Sequence, residues 1–316
     1  MLNFKTDLAD ERRDIFRKAN KLEEEIPGLE AKDYIEGENI KISKVKVVSE
    51  EGEQAIGKPI GTYITIDIKD LKIAHEDEMN KASEVLTKEL KELVEKHVET
   101  QDDILILGLG NIYVTPDSLG PKVVSEIDIT RHLLKYAPGV IDEKTRPVSA
   151  IAPGVLGTTG IETLEIVKGV VENIKPKMII VIDSLASKSI ERISSTVQLA
   201  DTGIVPGAGV GNRRSELSIN TLGIPVIAIG VPMVVEAATI ISDGLDMFAK
   251  KIEEGIGESN SGLYELIEKI EGEDKYEMIK EVLTPEDYNL IVTPKEIDDL
   301  IENMKDVIAK GINFAL

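Results

Sequence analysis

This 316-residue chain contains no cysteine and no tryptophan, and only three histidines. The absence of cysteine removes disulfides, thiolate nucleophiles and thiolate metal sites together, and suits a reducing interior. His75, His97 and His132 are scattered among charged segments without an H-E-x-x-H or comparable spacing, which argues against a tight zinc site. The run His75-Glu76-Asp77-Glu78 reads as a solvated helix start rather than a weak metal site. No G-x-S-x-G elbow occurs and no histidine lies near a predicted strand end, so a serine nucleophile has no support. Positive charge is also scarce: 37 Lys and Arg against 58 Asp and Glu leave a net charge of -21. Such a surface repels phosphate backbones and argues against a nucleic-acid partner. No apolar run is long enough to span a membrane, and the start MLNFKTDLADERRD lacks the apolar stretch of a secretory signal, so a soluble cytoplasmic protein is expected.

With 42% hydrophobic and 30% charged residues the chain is globular, and carboxylates are the credible source of chemistry. Residues 104–107 (ILIL) form a continuous apolar run, read as a strand buried on both faces, and Gly108, Gly110 and Asn111 then permit tight backbone geometry. Thr115, Pro116 and Asp117 follow as a predicted N-cap, first-position proline and first-turn acid, which puts Asp117 at a helix N-terminus beyond a buried strand. Residues 178–182 (MIIVI) are a second such strand and lead directly into Asp183. Ligands bind at this edge of open parallel sheets. Two carboxylates brought together there share a proton and can act as general base and general acid on a water. For either aspartate alone, a helix cap or a loop hydrogen bond is the commoner role.

The rest of the pattern is alternating. A helix is expected from about Leu8, with Thr6 or Asp7 as its N-cap, then two alternating strands over 40–48 and 61–68. Helices are predicted over 77–99, 122–136 and 161–174, and strands over 148–151 and 225–230, the last followed by a helix from about Pro232. Thr284-Pro285 and Thr293-Pro294 each look like a helix start. Regular alternation from 103 to 255 predicts an α/β fold with a doubly wound, mainly parallel twisted sheet, an antiparallel N-terminal addition and a helical C-terminal layer. The glycine-rich stretch 201–214 (DTGIVPGAGVGNRR) is not a phosphate loop, since no Gly-Lys-Ser/Thr follows; after Gly108-Leu-Gly110, Tyr113 replaces the third glycine of a dinucleotide fingerprint. Arg213 and Arg214 read either as a solvated pair or as a device that positions an acidic group or another subunit.

The segments GLGNIYVTPDSLGP, VIDSLASKS, DTGIVPGAGVGNRRSELS with TLGIPVIAIGVP, and VTPKEIDDLI resemble the germination proteases of spore-forming bacteria, in order and over nearly the whole chain. The resemblance implies a phosphorylase/hydrolase-like fold and an atypical aspartic-type endopeptidase without a cofactor. It further implies a self-processing homotetrameric zymogen of the forespore that begins the degradation of small acid-soluble spore proteins at germination. The two essential aspartates of that family fall on Asp117 and Asp183. Asn111, in the same motif, is implied to orient one carboxylate, and Arg213 or Arg214 is the candidate for holding the acidic side chain before the cut. Family members cut after an acidic residue and before a hydrophobic one followed by alanine. Asp7-Leu8-Ala9 fits, which implies self-cleavage between Asp7 and Leu8, a propeptide of residues 1–7 and one protease domain over 8–316. That domain divides into the addition (8–100), the core (101–256) and the C-terminal layer (257–316). Phe4 stands where an acid is favoured in substrates, a departure expected to slow processing. A more distant likeness, through the G-x-G-N strand end and a later aspartate, is to the maturation endopeptidases of nickel hydrogenases, which bind metal through carboxylates and a histidine. A metal-dependent endopeptidase of that kind and a spore-protein binder that does not cut are the alternatives.

Overall fold

Nine strands form one mixed sheet in the computed structural model, which describes residues 6–69, 71, 76–137, 139–207, 214–255, 273–283 and 290–316. They are β1 (Leu29–Glu36), β2 (Ile40–Val47), β3 (Gly61–Ile68), β4 (Ile104–Gly108), β5 (Val148–Ile151), β6 (Met178–Ser187), β7 (Thr196–Ala200), β8 (Val226–Glu236) and β9 (Ile291–Val292). Their order in space is β1-β2-β3-β7-β8-β6-β4-β5, with β9 pairing β8. The expected α/β class is borne out. Strands β5, β4, β6 and β8 run parallel, and β1 to β3 are antiparallel. β7, which the periodicity did not predict, pairs antiparallel with both β3 and β8 and so joins the N-terminal addition to the parallel half in one sheet.

The continuous apolar strands are buried on both faces, as the run of ILIL and MIIVI requires. Ile104, Ile106, Ile180, Ile182, Ile227 and Ile229 pack on one side against helix α3 (Glu76–Val94, the third in the chain after α1, Ala9–Ala19, and α2, Glu50–Ile56) and the C-terminal helix Ile297–Ala315. On that last helix Leu300, Ile301, Met304, Val307, Ile308 and Ile312 recur at helical spacing, so one stripe is buried. Leu105, Leu107, Ile179 and Val181 face the opposite way, against the helix Thr163–Ile174. Each such side chain contributes roughly 1.5–3 kcal/mol of burial.

Four expected boundaries differ. β6 continues past Asp183 to Ser187, and β8 continues through Pro232 to Glu236, so the helix expected from Pro232 begins at Ala237. Val231, Met233 and Val235 are fully buried in the extended strand, and Pro232 sits beside a register irregularity between Leu185 and Ala186, where a residue without an N–H is tolerated. The helix expected over 122–136 is two short ones, α4 (Leu119–Val124) and Arg131–Tyr136, because Thr130 between them is stitched to β5: the Val148 amide donates to its hydroxyl and its own amide donates to the Val148 carbonyl. Helix α1 starts at Ala9, so Thr6 and Asp7 precede the helix instead of capping it. Its first turn is pinned by Arg192, whose guanidinium lies 2.7 Å from Asp10, 3.3 Å from Asp67 on β3 and 3.6 Å from Glu11. Thr284-Pro285 lies outside the described residues. Among the described residues no helix is long and apolar enough to cross a membrane.

Candidate active site

β4 stops at Gly108, opposite Ile182, while β6 runs on, so residues 183–187 keep β8 on one side and have no β4 partner on the other. Both candidate aspartates are delivered to this opening at the C-terminal edge of the parallel strands. Asp183 is 5% exposed and its Oδ1 accepts the Ser184 amide at 2.9 Å. Burial holds its carboxyl well above the usual carboxylate range, the charge of Asp117 pushes it further, and the charge of Asp7 adds to both.

Asp117 arrives by a different route. After β4 the chain turns at Gly110 (φ 113°) and closes a short 3-10 turn, Thr115–Asp117, ahead of α4. Thr115 is therefore the first residue of this turn and not a cap, and Asp117 is its last. The Asn111 main-chain N–H donates to Asp117 Oδ2 at 2.8 Å, whereas the Asn111 side chain accepts the Tyr113 amide and closes the loop. Orientation of Asp117 by Asn111 thus comes from the backbone. Burial raises the Asp117 carboxyl, and the Asn111 amide offsets part of that rise. A Cβ on Gly110 would stand 2.0 Å from the Asp117 carbonyl oxygen, in a left-handed conformation that disfavours side chains. Gly110→Ala is expected to displace Asp117, lowering peptidase kcat at least tenfold and stability by about 1–3 kcal/mol, read by peptide cleavage and thermal melting.

The opening beside β6 is filled by the N-terminal segment. The Asp7 N–H donates to the Ala186 carbonyl at 2.9 Å, and the Ala186 N–H donates to Asp7 Oδ2 at 3.0 Å. Leu8 and Ala9 are wholly buried beyond it. The Asp7–Leu8 bond is therefore held alongside β6, three residues from the one that carries Asp183. Across the sheet, Asp183 pairs with Gly230 and Gly230 with Gln198. A Cβ on Gly230 would meet the Leu185 side chain at 2.3 Å, so glycine makes room for Leu185 to pack over this row. Gln198 Nε2 donates to the Asp7 carbonyl at 3.1 Å, and the Ala9 N–H donates to Gln198 Oε1 at 2.7 Å.

Of the two arginines, Arg213 lies outside the described residues, and exposed Arg214 is 3.7 Å from Glu162. The cation beside Asp7 is instead Lys58, in the loop after α2. It lines a cleft of about 790 Å³ together with Asp7, Arg12, Tyr63 and Gln198, and its Nζ lies 5.8 Å from the centre of the Tyr63 ring. Half-buried Lys58 is pushed down to about 8 by burial and by Arg12, with the Asp7 charge opposing. Sequence reasoning missed both Lys58 and Gln198. A polar residue in the middle of the buried run TVQLA was a usable signal for Gln198; Gly-Lys-Pro at 57–59 offers none for Lys58. Among the described residues no group of three or more His, Asp or Glu converges to hold a metal.

Two carboxyls with raised proton affinity, one more buried than the other, can share one proton across a peptide carbonyl. The profile of the germination protease family matches residues 6–268 and 257–316. A germination protease of Caldanaerobacter subterraneus subsp. tengcongensis is 48% identical over 316 residues, covering 100% of this chain and 95% of its own length. One from Clostridium perfringens is 47% identical over 318 residues, covering 100% and 96%. One from Bacillus mycoides is 42% identical over 343 residues, covering 99% and 93%. The protein is accordingly a peptidase of the α/β class. It belongs to the germination protease family.

Proposed function

We propose that this peptidase processes itself between Asp7 and Leu8, by a water activated between Asp117 and Asp183, and then cuts small acid-soluble spore proteins at germination. The observation that carries the reading is the Asp7–Leu8 bond held at the free edge of β6, next to a buried Asp183 whose proton affinity is raised by Asp117. Asp183, the more buried, holds the shared proton, and Asp117 is ionised. Water adds to the Asp7 carbonyl carbon as its proton passes to Asp117. The C–N bond then breaks as the Asp183 proton passes to the Leu8 nitrogen, leaving a carboxyl on residue 7 and an amine on residue 8. Ala9 packs in a cluster with Ala55, Ala200 and Ala228, which supports a requirement for alanine two residues beyond the bond. The acidic residue before the bond is received by the Ala186 N–H and Lys58. Residues 1–7 act as a propeptide, of which Asp7 lies against Ala186 until the cut and residues 1–5 fall outside the described residues. Assembly as a homotetramer in the forespore belongs to the same reading, and exposed Tyr136, Val140, Val282 and Phe314 offer apolar surface for it.

Intact-mass measurement tests it on the full chain and on Asp117→Asn and Asp183→Asn, with and without chelator, first alone and then with a small acid-soluble spore protein. Loss of residues 1–7 followed by cuts after an acidic residue, indifferent to chelator and absent in both variants, is expected. Cleavage that survives in either variant means the pair is misassigned, and loss with chelator alone moves the reaction to a metal-dependent peptidase.

A further inference from the structure

Gln198 is 6% exposed in the middle of β7, yet both ends of its side chain leave the sheet for the N-terminal segment. The β7 main chain already pairs with β3 and β8, so the carboxamide is not needed for the ladder. Its two bonds bracket Leu8: Nε2 sits on the carbonyl of the Asp7–Leu8 bond, and Oε1 on the amide of the Leu8–Ala9 bond that follows. Ala186 occupies the Asp7 amide and carboxylate, which leaves Gln198 as the group that the structure shows on the Asp7 carbonyl oxygen. That oxygen gains negative charge when water adds to its carbon, and a donor already in place strengthens as the charge grows. The row of Asp183, Gly230 and Gln198 puts this donor two strands from the catalytic carboxylate, with the Leu185 side chain packed over the glycine between them.

We propose that Gln198 is a catalytic residue of this peptidase, stabilising the oxyanion through Nε2 and setting the register of the substrate through Oε1. The proposal rests on the reading that Asp7–Leu8 lies in the cutting position. Bound substrate takes the same two bonds, so the carboxamide measures the distance from the carbonyl that is cut to the amide two residues on.

The test uses the full chain, Gln198→Ala and Gln198→Glu, with self-processing followed by intact mass and trans activity measured on a synthetic peptide copying residues 1–14. Gln198→Glu keeps an acceptor for the Ala9 amide and loses the donor. A fall in kcat of about a hundredfold is expected in both variants, with KM raised more in Gln198→Ala and the melting temperature of Gln198→Glu lowered by its buried carboxyl while the variant stays folded at the assay temperature. Variants that are folded and keep the parent kcat, or that lose only thermal stability, overturn the proposal while the processing reading stands. A parent chain that leaves the peptide intact between positions 7 and 8 overturns that reading and the proposal with it.

Discussion

Asp183→Asn is expected to end proteolysis and, in the same molecule, to raise the melting temperature at neutral pH. The loss of activity should reach three to four orders of magnitude, since the variant has no proton to give to the leaving nitrogen. The gain in stability follows from burial. The folded-state carboxyl of Asp183 is raised well above its ordinary value, so the folded chain holds that proton to higher pH than the unfolded chain does. Stability from this group is therefore full below the unfolded carboxylate value of about 4 and is lost as pH rises through the folded value. Above the unfolded value, a buried carboxyl at this position costs the folded chain stability, and a neutral amide of the same shape removes that cost. Thermal melts of parent and variant from pH 4 to 8 check the sign: the parent curve falls relative to the variant as pH rises. A variant less stable than the parent at pH 7 shows that Asp183 is held by contacts that favour its charge. Activity of the parent should fall on the acid side as Asp117 is protonated, at a pH above the ordinary carboxylate range.

Lys58→Met is expected to change which substrates are cut. Lys58 shares a cleft with the carboxylate of the residue before the proposed cut, whose charge favours that of the lysine, and losing one charge of such a separated pair costs about 1 kcal/mol. The ratio of kcat/KM for the peptide copying residues 1–14 over its Asp7→Asn version should drop about fivefold in the variant. In the parent, Lys58 is charged below about 8 and neutral above, so the same ratio should fall as pH rises through that value. An unchanged ratio in Lys58→Met, with Asp183→Asn still inactive, assigns acid recognition to the Ala186 N–H alone.

The aspartates were legible because each follows an unbroken apolar run, ILIL or MIIVI, that is a buried strand in any packing. What the runs do not encode is where a strand ends. β6 stays extended through Asp183 to Ser187 because β8 remains beside it, a partner distant in sequence (Asp183 pairs with Gly230) whose own extent was mistaken for a helix start at Pro232. The reading of Asp183 as a strand-end residue was thus correct for β4, which stops one residue earlier, and not for β6 itself. Gln198 was missed because β7 has five residues, too few for a period, and its place in the sheet is set by two strands distant in sequence. Lys58 was missed because only the closure of α2 onto β3 turns an ordinary loop lysine toward Asp7.

The grip of Arg192 on Asp10 and Glu11 fixes the chain three and four residues beyond the bond that is cut on the proposed reading. Such a tether gives that bond an effective concentration at its own site on the order of 10⁵ M or more, far above any that a separate substrate reaches. On that reading self-cleavage comes before every turnover, and its rate belongs to the single molecule. A population of these chains would ripen at the same pace whether crowded or dilute.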